Sequence, residues 1–287
     1  MARARGIRVV AYLDDLLIMA ESKEEALEKA KWLINQLQIH GFTINEKKSC
    51  LIPCQRIDFL GFQIDSKSMS LKLPRQKIHK LIHECKKTQH LKTIPTRKLA
   101  SLIGKIIATA NAIFPARLYS RALLRDKNNG LKMSGWNGMT TLSEESLQQL
   151  NWWIQELLKW NGKSMLPDKP TSIIYTDASI SGWGVTQNNW TIHGSWNQEE
   201  CQLHINHLEM KAIHFALRTF NQVMNQTVLI RTDNTTCVAY INHQGGTMSA
   251  DLSKSTEELW NLCLAQNINL RAEHIPGIQN VEADQAS

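Results

Sequence analysis

The chain opens with an apolar run, VVAYLDDLLIMA from Val9 to Ala20, interrupted in its middle by two adjacent aspartates. Val9, Val10, Tyr12, Leu16, Leu17 and Ile18 are strand formers on either side of Asp14 and Asp15, which predicts a β-hairpin with the Asp-Asp pair at its tight turn. The period then changes. Ser22 and Glu25 form a capping-box pair ahead of Ala26, Leu27, Ala30, Leu33, Ile34 and Leu37, whose spacing is helical, and Gly41 is placed to stop that helix. FTIN, KKSCLI and IDFLGFQID predict short strands around turns, with Gly61 inside FLGF where a backbone can approach closely. From Pro74 the pattern is helical again, in PRQKIHKLIHECKKTQHL and TRKLASLIGKIIATANAIF. Residues 126–142 predict a turn-rich connector, and Ser143 to Trp160 a further helix.

The segment LPDKPTS, 166–172, separates this order from a different one. Beyond it come strands SIIYTDAS, GWGVTQ and WTIHGSW, a helix from Asn206, strand TVLIRTD, helices from Thr235 and near 251–266, strand INLRAEHI, and a last helical start at Val281. Three strands followed by alternating helices and strands predict a mixed sheet with helices packed on it, so the fold class is α/β (α+β).

With 287 residues, 43% hydrophobic and 21% charged, the chain suits about two domains with sizeable cores. The net charge of +7 is unevenly spread. Residues 1–165 carry 27 Lys and Arg against 14 Asp and Glu, a net +13, whereas 166–287 carry 6 against 12, a net −6. A basic half suits a polyanion such as nucleic acid, or is simply a solvated surface. The acidic half needs a local explanation. Cys50, Cys54, Cys85, Cys201, Cys237 and Cys263 include no CxxC and suggest reduced thiols in an intracellular protein. Cys201, His204, His207 and Glu209 are close enough to suggest zinc, but no second ligand cluster at finger-like spacing accompanies them. The basic start meets Asp14 and Asp15 too soon for a signal peptide, and LIGKIIATANAIF is short and broken by Lys105. The expectation is a soluble protein of the cytoplasm or nucleus with no membrane partner.

Four carboxylates stand at element ends or starts in the acidic half. Asp177 closes its first strand, Asp233 closes TVLIRTD, Glu209 lies one turn into a helix, and Asp284 begins the final one. Singly they read as turns and caps, Glu209 as the third position of a capping box from Asn206. Together they could converge on one sheet edge, where they would repel unless divalent cations neutralised them; two hard cations about 3.5–4 Å apart are a known clamp for phosphoryl chemistry.

YTDAS (175–179), HLEMKA (207–212), RTDNTT (231–236) and HIPGIQNVEADQAS (274–287) resemble, in order and spacing, the four active-site motifs of type 1 ribonuclease H domains of retroelements. The resemblance implies that Asp177, Glu209, Asp233 and Asp284 hold two Mg²⁺ (or Mn²⁺) ions, and that His274 is the family's mobile histidine, assisting proton transfer or product release. The sequence ends three residues after Asp284, so the family's closing helix is expected to be truncated.

The first half bears its own resemblance. YLDD, the helix ending in GFTIN, KKS and FLGF look like the catalytic turn, following helix and primer-grip hairpin of a reverse transcriptase palm, and the 74–125 helices resemble thumb and connection. LASLIGKIIATANAIFPARLYSRALL is most similar to DIRS-like retrotransposon polymerases, with gypsy-like LTR elements as neighbours. This implies that Asp14 and Asp15 are metal ligands. A polymerase site also needs an aspartate from an earlier palm strand and the fingers, which the eleven residues before Tyr12 do not supply, so polymerase activity is expected to be absent.

The expected organisation is a partial palm with primer grip at 1–73, a helical thumb and connection at 74–165, and a ribonuclease H-like domain with a mixed five-stranded sheet at 166–287. The implied activity is hydrolysis of the RNA strand of an RNA:DNA hybrid, with upstream polyprotein segments as a partner supplying fingers and the rest of the palm. Two alternatives remain: a subunit of a working reverse transcriptase completed by a separate chain, and a non-enzymatic nucleic-acid-binding remnant.

Overall fold

The structure, a computed structural model, describes residues 2–220 and 224–287. Two compact units divide the chain, Met1–Pro74 and Arg75–Ser287.

In the first unit, β1 (Arg8–Tyr12) and β2 (Asp15–Met19) form an antiparallel hairpin in which Tyr12 pairs with Asp15. The turn is therefore Leu13–Asp14, one residue earlier than the Asp-Asp pair expected from the apolar pattern. Leu13 takes the left-handed conformation (φ 49°) and is exposed. A two-residue loop with a positive φ matches the strand twist, and this geometric demand outranks the preference of a turn for aspartate. The helix α1 (Lys23–Ile39) begins as predicted, with the Ser22 hydroxyl accepting the Glu25 N–H at 3.1 Å. The Glu25 carboxylate accepts the Glu21 N–H (2.8 Å) as well as that of Ser22, and the chain leaves the helix through Gly41 at φ 86°.

FTIN and KKSCLI are not strands. That stretch contains a 3-10 turn, Glu46–Lys48, whose N-cap Asn45 accepts the Lys48 N–H. IDFLGFQID does form a hairpin, β3 (Arg56–Phe59) with β4 (Phe62–Asp65), extended by β5 (Ser70–Lys72). Leu60 and Gly61 both have positive φ, 49° and 77°, which is the type I′ turn a two-residue hairpin loop prefers. At the end of β4 the buried Asp65 carboxylate accepts from Arg56 Nε (2.7 Å) and from the backbone N–H groups of Lys67 (3.0 Å) and Ser68 (3.1 Å). These donors, led by Ser68, hold it down to about 2.

The second unit begins with α2 (Arg75–Gln89), β6 (Thr93–Pro95), α3 (Thr96–Ile107), α4 (Arg121–Ser134), β7 (Met139–Thr141), α5 (Glu144–Glu156) and the two-residue β8 (Lys163–Ser164). Here α4 overturns the connector expected at 126–142, because its helix runs through Asn128, Asn129 and Gly130. The turn-forming residues serve tertiary contacts. Gly130 is buried against Thr140, with no room for a Cβ, and Thr140 shares a 2.9 Å hydrogen bond with Thr96. The Asp126 carboxylate accepts from the Ser143 N–H (2.7 Å), Ser143 Oγ (2.8 Å) and Ser146 Oγ (2.5 Å), clamping α4 to the start of α5.

The rest of this unit is a mixed five-stranded sheet with flanking helices, the class expected from the sequence. The strands β9 (Ser172–Ala178), β10 (Gly182–Gln187), β11 (Trp190–Ser195), β12 (Thr227–Thr232) and β13 (Asn269–His274) lie in the order β11-β10-β9-β12-β13. The first three are antiparallel neighbours, while β12 runs parallel to β9 and β13 parallel to β12. The helices are α6 (Ile205–Thr219), α7 (Thr235–Asn242), α8 (Ala250–Ala265) and the short α9 (Val281–Ala286). The core joins Ile174, Val185, Val228, Ile230 and Leu270 of the sheet to Ile213 and Leu217 of α6 and Leu259 and Trp260 of α8. On β10, Gly184 lets α9 approach until a Cβ would collide with the Ala283 carbonyl, and Ala283 is fully buried.

Gly130 gives a test in which two effects oppose. Alanine would favour the helix by about 1 kcal/mol, but overpacking against Thr140 costs about 1–3 kcal/mol. Gly130→Ala is expected to lose stability by an amount on the order of 1 kcal/mol in chemical denaturation; a gain would show that Thr140 yields freely.

Candidate active site

Because β9 and β12 are parallel neighbours, their C-terminal ends emerge at the same edge of the sheet. Asp177 is the penultimate residue of β9 and Asp233 follows the last residue of β12. Glu209 reaches the same place from α6, whose N-cap His204 accepts the Asn206 N–H through Nδ1 at 3.2 Å. One carboxylate oxygen from each of Asp177, Glu209 and Asp233 lies within 4.8 Å of the other two. Asp177 and Glu209 are buried (7% and 3% exposed), while Asp233 is open to solvent.

The environments explain the electrostatics. Burial pushes the Asp177 carboxyl up, the Ser287 hydroxyl opposes this, and the charges of Asp233 and Asp284 push it further up. Glu209 is raised to about 8, first by burial and then by the charges of Asp177 and Asp233. The Thr232 hydroxyl (3.4 Å) and the Ala178 N–H favour its ionised form. The donor set is hard oxygen throughout, the kind that suits Mg²⁺ or Mn²⁺. A cation is the group these residues lack for all of them to ionise together.

The other expected residues are placed differently. His274 ends β13 in register with Thr232 and is exposed at the same edge. Asp284 lies exposed on α9, close enough for its charge to act on Asp177 but outside the tight group of three. Asp14 and Asp15 sit exposed on the hairpin of the first unit, Asp14 in the turn and Asp15 opening β2, and neither belongs to that group. The residues considered for zinc do not assemble: Cys201 Sγ faces the Trp196 carbonyl (3.9 Å), His204 caps α6, and Glu209 belongs to the acidic group.

Several site residues escape sequence reasoning. Asn280 stands at the N-cap position ahead of Val281, but its side chain makes no cap hydrogen bond. Its Nδ2, almost fully buried, donates to the Thr176 carbonyl (3.0 Å) and to Asp177 Oδ1 (3.4 Å). Ser287 Oγ donates to Asp177 Oδ2 at 2.7 Å. Asn234 both accepts the Cys237 N–H, capping α7, and donates to Asn206 Oδ1 (2.9 Å), which ties the segment after Asp233 to the start of α6. Gly277 passes over Asp233, where a Cβ would stand 3.2 Å from Oδ2. The one signal for Gly277 in the sequence is the glycine itself.

Residues 1–64, which include the Asp14–Asp15 hairpin, match the family described as reverse transcriptase (RNA-dependent DNA polymerase). No curated protein matches the chain significantly. Among solved structures, the foamy viral protease-reverse transcriptase in complex with RNA/DNA hybrid is similar at 14% identity and a TM-score of 0.46, over 92% of this chain and 35% of that one. The same viral protein in complex with dsDNA is similar at 14% identity and a TM-score of 0.45, over 93% and 54%. RNase H1 from the halophilic archaeon Halobacterium salinarum NRC-1 is similar at 17% identity and a TM-score of 0.34, over 40% of this chain and 92% of its own. The chain thus spans only part of the length of the foamy viral chains it resembles. No described helix is long and apolar enough to cross a membrane.

The raised Glu209 carboxyl has a consequence for stability. A carboxyl that holds its proton more tightly when folded stabilises the fold fully below its ordinary value of 4.5, and this contribution is lost as pH rises towards about 8. In EDTA the melting temperature is expected to fall across that window, Glu209→Gln to flatten the fall, and Mg²⁺ to raise the melting temperature more at the alkaline end. A melting temperature that ignores both pH and Glu209→Gln would contradict the close packing of the carboxylates.

Proposed function

We propose that this chain is the ribonuclease H portion of a retroelement reverse transcriptase with part of the polymerase attached, and that it hydrolyses the RNA strand of an RNA:DNA hybrid. The observation that carries this reading is the meeting of Asp177, Glu209 and Asp233 within 4.8 Å at the open edge of β9 and β12. With Asp284 from α9, these residues would hold two divalent cations, Mg²⁺ or Mn²⁺, which supply an activated water and neutralise the leaving oxygen. The chain's own groups fix the ligands: Ser287 and Asn280 orient Asp177, and Thr232 with the Ala178 N–H orients Glu209. His274, exposed at the end of β13, would be the mobile histidine that assists proton transfer or product release. The net +13 of residues 1–165 suits a grip on phosphates, and a 2′-hydroxyl marks the strand to be cut.

A second reading rests on the family match over residues 1–64. In it, Asp14 and Asp15 are metal ligands of a polymerase palm (1–73) joined through a thumb and connection (74–165) to the nuclease (166–287), with upstream polyprotein segments completing the palm. The element would be DIRS-like or gypsy-like, acting in the cytoplasm or nucleus where hybrids form.

One assay separates the two sites. With Mg²⁺ and a labelled RNA:DNA hybrid, wild type is expected to cut the RNA strand and EDTA to stop it. Asp177→Asn removes charge from a ligand while keeping its shape and is expected to cost on the order of a thousandfold in rate. Asp14→Asn is expected to leave cleavage unchanged. A wild-type chain that binds hybrid without cutting it favours the non-enzymatic remnant, and damage by Asp14→Asn alone would move the chemistry out of the sheet unit.

A further inference from the structure

Cys50 and Cys54 lie in the irregular segment between the Glu46–Lys48 turn and β3. Both are exposed, and their sulfurs are 3.9 Å apart. The local backbone holds them there: Cys50 Sγ donates to the Ile52 carbonyl (3.4 Å) and Cys54 Sγ to the Arg56 carbonyl (3.1 Å). Of the other cysteines, Cys85, Cys237 and Cys263 are buried, and Cys201 is exposed but faces the Trp196 carbonyl. Neither proposed active site uses this pair.

We propose that Cys50 and Cys54 form a redox-active dithiol that closes reversibly into an intramolecular disulfide when it meets a small-molecule disulfide such as oxidised glutathione. Closing a disulfide of about 2.05 Å brings the two sulfurs together from 3.9 Å. The first step is attack by the Cys50 thiolate on one glutathione sulfur, which forms a mixed disulfide and releases one glutathione thiolate. Cys54 then loses its proton to solvent and attacks the Cys50 sulfur, releasing the second glutathione. The protein gives up two electrons and two protons, and the glutathione disulfide takes them. Partial burial and the facing Cys50 sulfur push the Cys54 thiol up, which favours Cys50 as the attacking sulfur and Cys54 as the resolving one. Closure fixes the segment leading into β3, whose first residue, Arg56, is anchored to Asp65.

The test uses the full chain. After exposure to oxidised glutathione, remaining thiols are blocked with N-ethylmaleimide and the protein is digested with trypsin, whose cuts after Lys48 and Arg56 leave both cysteines in the peptide Ser49–Arg56. That peptide is expected to be lighter by two hydrogens and unlabelled, and dithiothreitol to restore double labelling. Cys54→Ser is expected to stop at a lasting glutathione adduct on Cys50, and Cys50→Ser at one on Cys54, neither closing to a disulfide. Two labels or two glutathiones on the wild-type peptide, or a bond from either cysteine to Cys201 or a second chain, would overturn the proposal.

Discussion

The repulsion among Asp177, Glu209 and Asp233 is the interaction around which the sheet unit is arranged. Packed within 4.8 Å of one another, these like charges oppose ionisation, and the burial of Asp177 and Glu209 strengthens the opposition. Each acid is carried by a different element, and each element is anchored by apolar packing that cannot relax to relieve the repulsion. Ile174 holds β9, Ile230 holds β12, and Ile213 with Leu217 holds α6, all in one core. Glu209 responds by retaining its proton to about 8 rather than by moving away. The core thereby stores a charge deficit, and a divalent cation is the natural complement.

Polar residues then set the fine positions. Asn234 and Asn206 join the segment after β12 to the head of α6, so Asp233 and Glu209 are aligned by a single amide pair. On the other side, Asn280 spans the Thr176 carbonyl and Asp177. Each device is a buried or half-buried hydrogen bond, and losing one partner would strand the other, which makes the alignment stiff. The first unit uses the same principle at smaller scale, where Asp65 gathers Arg56 and two backbone amides at the end of its meander.

Much of this was legible in the sequence, because the elements that carry the acids are strongly patterned. The strands ending in Asp177 and Asp233 and the helix bearing Glu209 announce themselves by alternation or helical spacing, and their motifs pointed to one sheet edge. The legible part stops where tertiary contact overrides local preference. Asn128, Asn129 and Gly130 look like a turn and are helical, because Gly130 alone fits beneath Thr140 and Asp126 finds its partners on α5. The hairpin turn falls on Leu13 and Asp14 because strand pairing sets the register, and a composition rule placed it one residue late. FTIN and KKSCLI have strand-like composition without neighbours to pair with, while the role of Asn280 depends on a contact made across more than a hundred residues of chain.

That last separation governs when the site can exist. Asn280 and Ala283 reach back to β9 and β10 across roughly half the length of the second unit, and closing so long a loop carries a large entropic cost. During synthesis, β9 emerges with Asp177 long before the helix that will orient it, and until α9 seats on Gly184 the nascent chain holds an unfinished carboxylate set. The buried acid Asp177 thus gains its two side-chain donors, Asn280 and Ser287, only after the rest of the sheet has been made.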